Sequence, residues 1–298
     1  MKILFSFVSF GIFLGTSCDF LWRCQAKYRT FLCCVIVINT KMPKKRRSVS
    51  RKKVIKSTNS GTGVKDKEGY LWCIFYIAIF VVFNTGYLIK WHYDTFKTIN
   101  YMQISLALFL VINIMICIWE ISLLMYIKHI KQRSDLLLKT IPKGELGSLF
   151  LFQPMTLKNA LSLKAWSEIW VVYSLCDTSY ASHDSFGWSI DTGNGISALI
   201  PSILFAIGMT LQDNLCSPKL LGMLGIAHFW QMTYGTLLYF FQYCYHKRWM
   251  KHGNTNVHIF TLVILSNVTW IVFPCLGLWI STQLILADDS DVAWNLLQ

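Results

Sequence analysis

Charge is scarce in this chain of 298 residues: Asp, Glu, Lys and Arg make up 14%, against roughly 25% in an ordinary soluble domain. Acidic residues are scarcest, 15 against 28 Lys and Arg, for a formal charge of +13. So little charge argues against a soluble surface, and a mean hydropathy of +0.44 with 54% hydrophobic residues points to lipid instead. The basic excess is concentrated near the N-terminus and in a few connecting segments, which is a membrane protein's distribution rather than a nucleic-acid footprint. Metal-site motifs are missing too. The ten Cys include no Cys-x-x-Cys and no Cys/His pairing at zinc-ligand spacing, so they read as small apolar fillers. No internal repeat is present.

Long apolar runs, by contrast, are abundant. A transmembrane helix needs about 20 mostly apolar residues, and four segments reach that length: Leu71 to Lys90, Ile104 to Ile127, Leu220 to Tyr243 and His258 to Ala287. A fifth, Phe186 to Leu211, opens with polar Ser189, Asp191 and Asn194 before the run ISALIPSILFAIGMTL; it spans only where those groups face protein. The expected fold is all-α, a polytopic membrane protein with five transmembrane helices in residues 70–287.

Residues 1–41 begin MKILFSFVSFGIFLG, with one Lys, an apolar run and the small residues Gly15 and Ser17, the pattern of a signal peptide. The alternative is that the chain starts at Met42 and this stretch is a start-site artefact. Residues 42–69 form a disordered basic arm, with ten Lys and Arg between Lys44 and Lys67, suited to anchoring on anionic lipid. With that arm in the cytosol, the segments on its side carry 10, 7 and 3 Lys/Arg, and the opposite side carries Lys90, Lys97 and Lys219. The acidic tail, residues 288–298 with Asp288, Asp289 and Asp291, then lies across the membrane. A cleaved signal peptide demands the reverse. Between the second and third spans, Trp166, Trp170 and Tyr173 suit a re-entrant or interfacial cover. The sequon Asn267-Val268-Thr269 falls mid-span, out of reach of glycosylation.

Ionisable groups inside the spans are few, and each costs roughly 2.5–3.5 kcal/mol on insertion scales, so each needs a partner or a task. They are Glu120, Asp191 and His228, accompanied by the amides Asn113, Asn194, Gln231 and Asn267. Glu120, in MICIWEISLLMY, has no Lys or Arg within four residues. Asp191 and Asn194 share a helical face; the rival reading of Asp191 is an N-cap. Facing one cavity, Glu120 and Asp191 would hold one proton between them, and such a pair can protonate an apolar substrate and stabilise the resulting cation. Helix-register hydrogen bonding is the plainer alternative for both. His228 reads as a satisfied interior histidine, and Asn113 and Gln231 as packing groups. Trp270, three residues after Asn267, can offer an indole face to a cation.

Three blocks give these residues a family resemblance: Trp170-x2-Tyr173-x3-Asp177-x2-Tyr180-x3-Asp184-x-Phe186-x4-Asp191-x2-Asn194, then Tyr234-Gly235-x2-Leu238-Tyr239-Phe240, then Asn267-x2-Trp270-x-Val272-x-Pro274. Together with Glu120, the chain from about Tyr101 to Leu284 resembles the emopamil-binding protein branch of the EXPERA superfamily, the sterol Δ8–Δ7 isomerases. The resemblance implies a five-transmembrane-helix bundle enclosing a lipid-accessible cavity in the endoplasmic reticulum membrane. It implies Glu120 and Asp191 as proton handlers, Asn194 and Asn267 as orienting groups and Trp270 facing the cation. Trp170, Tyr173, Tyr180 and His228 are the further substrate-binding candidates. No cofactor or metal is implied. The partners implied are a sterol or cationic amphiphile and membrane lipids, with no nucleic acid and a homodimer left open. Three positions depart from the family: Ile116 stands where it has His, Asp191 where it has Glu, and Asn194 where it has Thr. An isomerase with an altered acid–base set and a non-catalytic sterol or amine binder are therefore both expected readings, with a proton-conducting transporter behind them.

Overall fold

The computed structural model describes residues 71–141, 150–183, 185–210, 217–250 and 259–287. The expectations for residues 1–41, the basic arm and the acidic tail lie outside the described residues. What is described is mostly helical.

Helix α1, Cys73–Phe96, and helix α2, Tyr101–Thr140, form an antiparallel hairpin. Lys97, in the left-handed region at φ 57°, ends α1, and the Asn100 side chain caps α2 by accepting from the Met102 and Gln103 N–H groups. At 1.5 Å per residue, the 40 residues of α2 run to about 60 Å, twice the hydrocarbon thickness. Non-helical angles at Tyr126 divide it, and the portion beyond carries Lys128, Lys131, Arg133 and Lys139.

A two-residue β1, Leu71–Trp72, pairs antiparallel with β2, Pro154–Met155. Three short helices follow: α3 Leu157–Ala160, α4 Leu163–Trp166 and α5 Glu168–Cys176. Next come α6, Phe186–Ser197, and α7, Leu199–Thr210, bent 46° against each other. Pro201 accounts for the break: it has no N–H to offer the Ser197 carbonyl, and it fits the first turn of a new helix. Helix α8, Pro218–Tyr245, packs along α9, Ser266–Leu286. Their approach is close at Gly222, where an added Cβ would stand 2.6 Å from the Ser281 carbonyl oxygen; small residues at such crossings are what let membrane helices touch.

Three helical stretches are long and apolar enough to cross a membrane, namely α1, α2 and Phe260–Leu286, and the bent α6–α7 pair makes up to a fourth. Helix α8 has the length, 28 residues, but His228, Gln231, Thr233 and Thr236 keep it from the same apolarity. Large apolar side chains point outward where lipid would lie, with Val82 70% and Phe241 61% exposed.

Two interior clusters result. One gathers Phe109, Phe205, Phe229 and Ile280 among α2, α7, α8 and α9. The other gathers Trp119, Trp166, Trp170, Tyr180, Tyr239 and Tyr243 under the short helices. Trp166 and Trp170 are buried, so these aromatics pack into the protein interior under the short helices.

Candidate functional site

Glu120 is buried on α2, about one turn from Cys117. Helix α6 lies against it at Gly195, where a Cβ would fall 2.7 Å from the Glu120 Cβ and 3.1 Å from the Cys117 carbonyl oxygen. Only a bare backbone permits that approach. Asp191, four residues earlier in α6, occupies the same face one turn away, and its charge acts on Glu120. Tyr180, buried beside them, feels the charge of Asp191. Asp191 is not a cap: Ser185 fills that position, accepting from the Trp188 N–H at 3.2 Å, and Asp191 lies mid-helix.

A chain of polar contacts borders this pair. Asn267 donates through Nδ2 to the Tyr173 hydroxyl at 3.2 Å, Tyr173 and Tyr239 share a hydroxyl contact of 3.3 Å, and Tyr239 donates to Asp177 Oδ2 at 3.2 Å. Arg248 Nη1 closes the chain at 3.0 Å from the same oxygen. Burial raises the Tyr173 and Tyr180 hydroxyls above the ordinary tyrosine range, so both stay neutral and able to donate. Trp170 stacks on Tyr180, centroids 5.3 Å apart, and its indole N–H donates to the Trp119 carbonyl at 2.7 Å, tying this cover to the residue preceding Glu120. Burial also pushes the Cys176 thiol up to about 12, the behaviour of an inert filler.

The other expected residues belong to a separate network. Trp270 Nε1 donates to Asn113 Oδ1 at 2.9 Å, Asn113 Nδ2 donates to Ser202 at 2.9 Å, and Ser202 Oγ lies 3.1 Å from His228 Nε2. Asn113 precedes Glu120 by seven residues, about 10 Å along the helix, so the indole N–H of Trp270 is anchored away from the acid pair. His228 is a satisfied interior histidine, buried and held by Ser202. His228→Ala is expected to lower stability by about 1–3 kcal/mol, because the buried Ser202 hydroxyl loses its imidazole partner while Asn113 keeps Ser202 and Trp270; thermal unfolding in detergent checks it. Asn194 sits between the networks, its Oδ1 accepting from Gln231 Nε2 at 3.0 Å.

The structure therefore joins Glu120, Asp191, Tyr180, Tyr173, Asn267 and Trp170, and separates Trp270 and His228 from them. Asp191, Asn194, Tyr173 and Asn267 are each half-buried, so the acid-side cluster keeps access from outside. Asp177, Arg248 and Tyr239 were not among the expected site residues. The one sequence signal for Asp177 is its place in the Trp170-to-Asn194 block. Among the described residues, no group of three or more His, Cys, Asp and Glu is set to hold a metal ion. Comparison with known family models, curated proteins and solved structures gives no match.

Proposed function

We propose that this protein is a multi-pass endoplasmic reticulum membrane protein, a five-helix bundle around a lipid-accessible cavity, acting as a sterol Δ8–Δ7 isomerase. The observation carrying this reading is the approach of Glu120 and Asp191 across the Gly195 contact, two carboxyl groups that form no ion pair among the described residues.

In this reaction one carboxylic acid gives its proton to C9 of the Δ8 double bond. The π pair forms the new C–H bond and leaves a cation at C8. A carboxylate then takes a proton from C7, and the electrons of that C–H bond become the C7–C8 double bond. One proton enters and one leaves, so two carboxyl groups sharing a proton meet the need without a cofactor. Tyr180 lies beside Asp191, and the Asn267–Tyr173 contact borders the same pair.

A second reading is a sterol or cationic-amphiphile binder without turnover. It is favoured by Ile116 at the family's His position and by the commitment of His228 to Ser202. Complementation of a yeast strain lacking sterol Δ8–Δ7 isomerase separates the two, with Δ8 and Δ7 sterols measured by mass spectrometry. Conversion is the expected result. No conversion by an expressed protein that still binds a radiolabelled amine selects the binder.

A further inference from the structure

We infer that the protein has a second lipid site, a seat for one anionic glycerophospholipid straddling α3 and α4, apart from the acid pair. It rests on the membrane-spanning reading and not on isomerase activity. One side of these short helices faces an apolar groove of about 300 Å³, walled by Phe80 and Phe83 of α1, Met115 and Trp119 of α2, and Leu157 and Leu161. That volume is at the lower end of small-ligand sites. Asn84, in the same wall, has its amide N–H turned back on the Phe80 carbonyl at 2.7 Å. Phe83 on the lip is 60% exposed, which opens the groove outward, where a membrane offers hydrocarbon.

The other side of the same helices faces a pocket of about 350 Å³ with different chemistry, lined by His129, Asn159, Ser162, Lys164 and Glu168. The Glu168 carboxylate is already taken, by His129 Nε2 at 2.8 Å and Arg133 Nε at 3.5 Å. Lys164 is exposed, and no ion pair is formed by it among the described residues. The pocket is left with positive charge and with the hydroxyl and amide donors of Ser162 and Asn159, a set that suits a phosphate ester. Trp166 Nε1 donates to the Ala160 carbonyl at 2.8 Å, which fixes the two short helices as one wall. A helix is about 10–12 Å across with its side chains, a distance covered by a lipid's phosphate, glycerol, ester and first chain methylenes taken together. A sterol leaves the charged pocket unmatched and a free phosphate leaves the groove empty; an anionic lipid matches both.

The test is native mass spectrometry of the full chain in detergent, offered phosphatidylserine and phosphatidylcholine with identical chains. The wild type is expected to retain phosphatidylserine about fivefold over phosphatidylcholine, the worth of one Lys near a membrane surface. Lys164→Glu, on an exposed position, is expected to abolish that preference, and Ala160→Phe, which fills the groove, to reduce retention of both lipids. Excess glycerophosphoserine, which lacks acyl chains, is expected not to displace the bound lipid. Equal retention by the wild type, no effect of either substitution, or displacement by the chain-free headgroup each overturns the site. None of these outcomes touches the acid pair, and a chain that leaves the cell in aqueous buffer without detergent defeats the membrane reading itself.

Discussion

Arg248→Ala is expected to lower stability by about 3–5 kcal/mol, the usual cost of stripping one partner from a buried ion pair. The side chain of Asp177 is 0% exposed and that of Arg248 11%, so water cannot replace the guanidinium. What remains on the carboxylate is the Tyr239 hydroxyl at 3.2 Å and the Ser179 N–H at 3.0 Å, two neutral donors around an uncompensated charge. Arg248→Lys should recover part of the loss, because a single nitrogen, Nη1, makes both contacts to Asp177 and an ammonium is also a point charge. Thermal unfolding in detergent reads both variants. An unchanged melting temperature for Arg248→Ala would mean that the pair is solvated and the Tyr239–Tyr173 contacts do not depend on it.

On the proposed isomerase reading, the second large effect falls on turnover. Glu120→Gln is expected to reduce isomerisation about 10²–10⁴-fold, the range of positioned proton transfer, with the melting temperature held. Gln keeps the volume that packs on Gly195, but it cannot give or take the proton. Asp191→Asn should behave alike. The sterol ratio in the complemented strain and unfolding of the purified variants are the paired measurements. Stability lost ahead of turnover would instead make the carboxyl pair a device for fixing helix register.

The long helices were legible because lipid asks for one property, apolar length, and α1, α2 and α9 have it. Glu120 and Asp191 stood out for the converse reason, being charges where charge is expensive. The Arg248–Asp177 pair was not legible: its members are 71 residues apart, and Arg248 reads as one more basic residue of a connecting segment. The break after Ser197 was hidden inside a mostly apolar run, where Pro201 is its one proline. Helices α3 and α4, four residues each, are too short for any periodicity to register. Trp270 illustrates a different limit. Its spacing from Asn267 placed the two on one face, yet the side chains reach separate networks, because a helical face is broad and the partners on neighbouring helices decide the direction.

The irregular turn of α2 at Tyr126 has a consequence for how the chain tolerates change. In an unbroken helix, one residue inserted anywhere rotates everything beyond it by about 100°. A loosened turn interrupts that transmission of phase. The outer segment, with His129 and Arg133 holding Glu168, can then gain or lose residues and re-seat the short helices without turning Glu120 away from Asp191.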